Sequence, residues 1–371
     1  MLDPKLLRQV EAAGAQAQHD VPFATMTTLR CGGPAHTVLH CTTTDAVVAA
    51  VRALDDAGEP LLVLGGGSNL VVADAGFAGT VVRVATDEVR SCGTAAADPA
   101  GSGSETVTVH VAAGTPWDAV VAKTVADGLG GLECLSGIPG RAGATPVQNV
   151  GAYGVEISSV LQRVQLLQRT DGQVRWVEPA ELALGYRTSA LKHTDHAVVL
   201  AVELALRADG ASAALTYREL TAALDTEPGA RLPAAQVRDA VLGLRRGKGM
   251  VSDAGDHDSW SAGSFFTNPV LDEQQLAQVL ARTGPDVPRY PGAAGTKLSA
   301  GWLIEHAGFH RGYPDADAPA RLSTKHTLAL TNRGHASTAD LLALARVVRD
   351  GVRHAFGVEL EPEPVLVGCR L

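Results

Sequence analysis

The residues GLECLSGIPGRAGATPVQNVGAYGVEI, Gly131 to Ile157, decide how the chain is read. They show neither the 3.6-residue apolar period of an amphipathic helix nor the alternation of a strand, and Arg141 is their only cation. A loop this long is uncommon inside a compact domain unless it is functional or disordered, and Ile138, Val147, Val150 and Ile157 argue against disorder. Glycine lets backbone N–H groups approach a ligand closely and adopt positive φ, and successive N–H groups in such turns form anion-binding nests. The stretch therefore reads as a cradle for a large phosphate-bearing cofactor. The plainer alternative is a glycine-rich surface loop.

Upstream, LLVL (61–64) is a short buried strand that empties directly into GGGSN, Gly65 to Asn69. Three glycines after a strand are a second sign of backbone contact with phosphate. No Lys-Ser/Thr pair follows, so this is not a P-loop, and no G-x-G-x-x-G opens a long helix. Composition narrows the choice further. At 371 residues two or three domains are expected, and 46% hydrophobic with 19% charged residues marks an ordered globular chain. A formal net charge of −9 offers no basic face for nucleic acid. The apolar run Ala197 to Ala205 is broken by Glu203 and is far shorter than the roughly 20 residues of a membrane span. The N-terminus lacks a secretory apolar core, so a cytoplasmic protein without membrane insertion is expected. Five scattered cysteines and unpaired histidines point to reduced thiols and no metal site.

In order along the chain, HTVLHC (36–41) has a strand pattern, and Thr44 is expected to cap a helix running toward Gly58, with Asp45 in its first turn. TVVRV (80–84) and TVTVHVAAG (106–114) read as strands. SCGTAAADPAGSGSE (91–105) lies between them and is expected to be a flexible hairpin tip with no chemistry. Thr115 and Pro116 supply an N-cap and an N1 proline for a helix ending at Gly128. Strands near 160–168, 174–177 and 197–206 follow, then a helix from about Pro233, one from Asp272, the strand HTLALTN from His326, and a helix from about Ser337 to Phe356. Strands and helices mix without strict βαβ alternation, which favours α+β.

Six motifs in this order, the cradle, GGGSN, GYRTS (185–189), GSFFTNP (263–269), KLSAGWLI (297–304) and LEPEPV (360–365), resemble the UDP-N-acetylenolpyruvoylglucosamine reductase family, flavoenzymes of bacterial peptidoglycan precursor synthesis. The resemblance covers nearly the whole chain. It implies an FAD-binding domain of the vanillyl-alcohol-oxidase type in two lobes, 1–80 (with a C-terminal return, 357–371) and 81–245, and an α+β substrate-binding domain, 246–356. It also implies NADPH as electron donor, a UDP-sugar enolpyruvate as substrate, and Tyr217 as the tyrosine of the longer family form, which covers the substrate's diphosphate. Family members take electrons from NADPH in the pocket that the sugar nucleotide later occupies, so no separate dinucleotide fingerprint is expected. The insert 91–105 is longer than usual, and Pro364 replaces the more frequent Glu-Val junction after Glu363. Nothing in the sequence demands more than a monomer.

Reducing an enol ether conjugated to a carboxylate requires a cation or acid at the carboxylate, a proton donor on the face away from the flavin, and anchoring of the diphosphate. Arg187 is the candidate carboxylate partner, because guanidinium is a planar fork that keeps its charge. The resemblance makes Glu363 a carboxyl that stabilises the developing charge, protonated through burial. Glu361 is the competing candidate, since alternation puts both on one face. Ser264 is the proton donor by resemblance; a serine hydroxyl is a poor acid, so the site must be dry and its partner strongly basic. Tyr186, Tyr217, Lys248, Asn268 and Lys297 are the candidates for holding substrate. For FAD, Gly65, Gly66, Gly67, Ser68 and Asn69 should hold the pyrophosphate, with Arg30 on the phosphate side. Gly137, Ile138, Gly140, Gln148, Asn149, Gly154 and Ile157 should line the ribityl and isoalloxazine side.

Two rival readings are a sugar or lactone oxidase on the same architecture, which leaves GSFFTNP and Tyr217 unexplained, and an idle nucleotide-sugar binder, which would not need Arg187, Ser264 and Glu363 together. No His or Cys flanks GGGSN, and Cys134 is the only thiol near the cradle. FAD should therefore leave the protein intact on acid or heat treatment, and yellow colour retained in the precipitate would refute non-covalent binding.

Overall fold

A computed structural model describes residues 2–94, 105–292 and 295–371. Most of the stretch expected to be a hairpin tip, 91–105, falls outside the described residues. In chain order the elements are α1 (Pro4–Ala12), β1 (Ala15–Pro22), β2 (Pro34–Cys41), α2 (Thr44–Asp56), β3 (Leu61–Leu64), β4 (Leu70–Val72), β5 (Phe77–Val84), β6 (Val89–Thr94), β7 (Thr106–Ala112) and α3 (Trp117–Ala126). They continue as β8 (Gly151–Ala152), β9 (Val155–Glu156), β10 (Leu161–Gln168), β11 (Val174–Val177), β12 (Ala197–Arg207), α4 (Arg218–Ala223) and α5 (Ala234–Gly247). The last are β13 (Val270–Leu271), α6 (Glu273–Thr283), β14 (Arg289–Gly292), β15 (Gly295–Leu298), α7 (Ala300–His306), β16 (Ala320–Leu322), β17 (Leu330–Asn332), α8 (Thr338–Phe356) and β18 (Val365–Val367). The class is α+β, as expected.

Packing divides the chain into two units. One comprises Met1–Val21, Ala35–Gly66 and Ala78–Arg246; the other comprises Pro22–Pro34, Gly67–Phe77 and Gly247–Leu371. Both expected flavin lobes contribute to the first unit, and the 357–371 return belongs to the second. The first unit holds a four-stranded sheet in the order β1-β2-β5-β3 and a five-stranded sheet in the order β11-β10-β12-β7-β6. Leu64 is opposite Arg83 in the parallel β3–β5 pair, whereas β10, β12, β7 and β6 pair antiparallel. Helix α2 turns Val47, Ala50, Val51 and Leu54 inward, the i, i+3, i+4, i+7 stripe of an amphipathic helix. The second unit has its own core, in which Leu341, Leu342, Ala345, Val348 and Val352 of α8 pack with Phe265, Phe266, Leu303 and Ile304. There β18 pairs parallel with β4.

Local signals hold with three shifts. Thr43, not Thr44, caps α2: its backbone is extended (φ −124°, ψ 153°) and its hydroxyl accepts from the Ala46 N–H at 3.2 Å. Pro116 is the N-cap of α3 rather than its first residue; the Thr115 hydroxyl is taken by Glu88, accepting from its N–H (3.1 Å) and donating to its carbonyl (3.2 Å). The strand expected from His326 spans only Leu330–Asn332, because the His326 carbonyl accepts from the Ala329 N–H in a turn. Strand β1 went unread because it is an edge strand with five of eight residues exposed, so no apolar alternation marks it.

The largest fully buried side chain is Trp117, 1% exposed, whose indole N–H donates to the Leu135 carbonyl at 3.2 Å. Trp117→Phe removes that hydrogen bond and should cost about 1 kcal/mol. Trp117→Ala also opens a cavity and should cost about 3–5 kcal/mol. Denaturant melts of the two variants would show this ordering.

Candidate active site

The cradle is built onto the turn before α3. The Trp117 N–H donates to the Gly140 carbonyl (3.1 Å), the Ala142 N–H to Thr115 (3.0 Å), the Gly143 N–H to Ala113 (2.8 Å) and Arg141 Nη1 to Gly114 (2.9 Å). The first glycine turn packs directly on it: a Cβ on Gly66 would lie 2.7 Å from the Gly140 Cα. Gly66 is therefore bare so that two backbones can touch. Gly65, Gly66, Ile138 and Gly140 keep part of their surface open. Gly137 spends its polar groups within the protein: its N–H donates to Asp118 Oδ1 (2.6 Å) and its carbonyl accepts from Arg245 (3.4 Å). Arg238 grips both oxygens of Asp118, at 2.7 and 3.0 Å. Burial raises the Asp118 pKa, but the hydrogen bonds from Arg238 and Gly137 outweigh it and hold it below its usual value. Ile157 is fully buried in the core, so it packs the cradle's end and presents no wall.

Asn149 is 1% exposed, and its side chain is also engaged internally. Its Nδ2 donates to Glu156 (2.8 Å) and to the Gly185 carbonyl (3.1 Å), and its Oδ1 accepts from the Ser158 N–H (3.1 Å). It acts as a strut from the cradle to the turn that carries Arg187. In that turn Gly185 and Thr188 exchange backbone hydrogen bonds at 3.0 and 3.2 Å, and Arg187 has φ +53°. Arg187 Nη2 donates to the Gly151 carbonyl at 2.7 Å, and its guanidinium carbon lies 5.4 Å from the Tyr186 ring. Tyr186 and Tyr217 are exposed aromatics, at 39% and 45%. Tyr217 meets Tyr153 edge-on at 5.4 Å, and burial pushes the Tyr153 hydroxyl up to about 12. Gly154 is close to this segment: a Cβ there would lie 2.7 Å from Thr216 Oγ1. Gln148 is half-buried on the same stretch.

The second unit gathers the other candidates by backbone pairing. The Glu363 N–H donates to the Phe265 carbonyl (2.9 Å) and the Thr267 N–H to Glu361 (3.0 Å), so the Ser264 segment and the Glu363 segment run side by side. Glu363 is half-buried and Glu361 exposed, which separates two residues that alternation alone put on one face. Asn69 holds the same segment: its carbonyl accepts from the Val365 N–H (2.9 Å) and its Nδ2 donates to the Glu363 carbonyl (3.4 Å). Gly67, at φ +61°, packs against Met26, whose carbonyl oxygen would sit 2.0 Å from an added Cβ. Its own carbonyl accepts from the Thr28 N–H (3.2 Å). Ser68 is half-buried in this turn. Arg30 lies 4.0 Å over the Trp260 ring, and Asn332 fixes its loop by donating to the Leu29 and Arg30 carbonyls (3.0 and 2.9 Å). Asn268 Oδ1 accepts from the Ala300 N–H (2.9 Å), holding the start of α7. Lys297 lies on β15 opposite Val270 and Tyr290, and Lys248 is half-buried just past α5.

These residues fit FAD. In the first unit Gly65, Gly66 and Gly140 leave backbone bare of side chains, with Arg141 beside Gly65; in the second unit, taken by itself, the Thr28 hydroxyl beside Gly67 is buried with no partner among the described residues, as is the Trp260 indole N–H beneath Arg30. Cys134 is fully buried and its thiol is pushed up to about 12, so it offers no thiolate to a flavin ring. Among the described residues no His, Cys, Asp and Glu group could hold a metal, and no helix is long and apolar enough to cross a membrane.

Comparison with known proteins agrees. A model of an FAD binding domain matches residues 35–178, and the chain is an FAD-dependent oxidoreductase. The model of the C-terminal domain of UDP-N-acetylenolpyruvoylglucosamine reductase matches residues 255–367. The reductase of that name from Nocardia farcinica is 61% identical over 98% of this chain and 92% of its own length, and one from Corynebacterium glutamicum is 54% identical over the whole of both. The crystal structure of the Thermus caldophilus reductase superposes with a TM-score of 0.62 at 26% identity, covering 95% of this chain and 98% of its own. The chain belongs to the UDP-N-acetylenolpyruvoylglucosamine reductase family, which serves peptidoglycan precursor synthesis.

Asp118, Arg238, Arg245 and Asn332 escaped the sequence reading. Asp118 shows only as a first-turn acid, and its partner lies 120 residues away. Asp118→Ala should cost about 1–2 kcal/mol of stability and loosen FAD, since Gly137 and Arg238 lose their anchor. Because the folded pKa is lowered, wild type should keep this contribution above the ordinary value of 3.8 and lose it as pH falls below, while the variant lacks that acid-side loss. Melting curves against pH, with FAD titration, measure both.

Proposed function

We propose that the chain reduces UDP-N-acetylglucosamine enolpyruvate to UDP-N-acetylmuramate with NADPH as electron donor, acting as a cytoplasmic monomer. The three-part division into 1–80 with 357–371, 81–245 and 246–356 is part of this reading. When bound, FAD supplies hydride relay from NADPH to the distal carbon of the enolpyruvyl group. Arg187 pairs with the substrate carboxylate, and its turn, braced by Asn149 and Gly151, keeps the guanidinium oriented before substrate arrives. The Glu363 carboxyl stabilises the charge that develops there. Ser264 donates the proton to the other carbon, so one hydride and one proton complete the reduction of the double bond. Tyr217 closes over the diphosphate, with Tyr186, Lys248, Asn268 and Lys297 holding the rest of the sugar nucleotide.

The observation that carries this reading is the backbone pairing that sets the Ser264 segment beside Glu363, through the Phe265 carbonyl and the Glu363 N–H at 2.9 Å. A proton donor and a carboxyl from positions about a hundred residues apart in sequence share one ladder. A sugar or lactone oxidase has no use for that pair.

Ser264→Ala should leave reduction of the bound flavin by NADPH intact and slow its reoxidation by the enolpyruvyl substrate about 10²–10⁴-fold. Anaerobic stopped-flow absorbance separates the two half-reactions, and equal slowing of both would reject the assignment.

A further inference from the structure

Two guanidinium groups and an imidazole with no part in the reaction above lie around the first glycine turn. Arg83 is opposite Leu64, the last residue of β3, which places it beside Gly65 at the carboxyl end of this parallel pair. The neighbouring strand β2 ends at the same edge, because the Ala85 N–H donates to the Cys41 carbonyl at 2.9 Å, and so brings His40 there. Arg141 arrives from the cradle: its Cβ and Cγ lie 3.5 Å from where a side chain on Gly65 would begin. All three are half-exposed. His40 is held below its usual pKa by burial and then by Arg83 and Arg141; Arg141 is lowered by burial and then by Arg83, with Asp87 as the opposing acid.

Like charges gathered at one edge repel one another, and a bound anion reverses that cost. The carboxyl end of parallel strands, next to a side-chain-free turn, is where α/β sheets take phosphate-bearing ligands, and guanidinium binds phosphate through paired hydrogen bonds. Arg141 already donates Nη1 to the Gly114 carbonyl, which aims the guanidinium without discharging it. We propose that His40, Arg83 and Arg141 form the seat for the diphosphate of FAD, supplying the charge that the Gly65–Gly66 backbone lacks. This rests on the flavin reading of the turn. The sugar nucleotide and NADPH carry the same chemical group, so the test must tell the three apart.

Apoprotein is titrated with FAD by quenching of flavin fluorescence, with thermal melts confirming that each variant folds. Arg83→Gln should raise the FAD Kd about tenfold or more and flatten its dependence on salt. Arg83→Lys should recover much of the affinity, and His40→Gln should have a smaller effect. Inorganic pyrophosphate should compete with FAD on the wild type and only weakly on Arg83→Gln, whereas riboflavin affinity should be the same for both. An unchanged FAD Kd in folded Arg83→Gln and His40→Gln overturns the proposal. So does a rise in KM for the sugar nucleotide or for NADPH with the FAD Kd unmoved, which would give the cluster to a substrate. If Arg83→Gln does not fold, His40→Gln and Arg83→Lys with the pyrophosphate competition decide the matter. Because FAD binding is read without turnover, failure of the proposed reduction would leave this result standing.

Discussion

Backbone contact between two glycine turns is the constraint on which the first unit depends. Gly66 and Gly140 approach so closely that a single methyl group on the former would collide with the main chain of the latter. Four hydrogen bonds from residues 113–117 to 140–143 then lock the cradle to the start of α3. Buried Glu133 closes the other end, accepting from the Gly131 N–H (2.6 Å) and the Ala213 N–H (2.7 Å). A long stretch whose only strands are the two-residue β8 and β9 is thus held in place by hydrogen bonds from its polar groups to the rest of the first unit.

Bracing of the same kind recurs at the candidate site residues. Arg187 sits at positive φ in a four-residue turn whose geometry is imposed by Gly185, Thr188 and the buried amide of Asn149. Glu363 is positioned from two sides within the second unit, by Phe265 and by Asn69. Asn69 belongs to the glycine motif, so that motif contributes to placing a candidate catalytic carboxyl. Arg30 is fixed by Asn332 through its carbonyl and by Trp260 under its guanidinium. In each case backbone hydrogen bonding braces the segment that carries the candidate side chain.

Several residues read from the sequence as ligand contacts also serve the frame. Gly137 and Asn149 spend their polar groups on Asp118, Arg245, Glu156 and Gly185, and Ile157 lies wholly in the core. Glycine permits close approach of any partner, and here the partner at Gly66 and Gly67 is another stretch of the same chain. Motif residues can thus build the frame of a candidate site without themselves facing a ligand.

Local patterns were legible wherever local physics sufficed. Helix α8 follows from a capping box and an apolar stripe, β12 from a long apolar run, and the glycine turns from their missing side chains. The order of six short motifs was enough to point to the family, since each marks a place where the backbone or a charge has little freedom to change. Pairing across long separations was not legible. The Asp118–Arg238 clamp, the choice of Glu363 over Glu361 at the half-buried position, and the gathering of His40, Arg83 and Arg141 at one sheet edge depend on which strands and loops become neighbours. Hydrogen bonds and charges act over a few ångströms of space, so sequence alone determines which groups are available, and tertiary structure decides which of them meet.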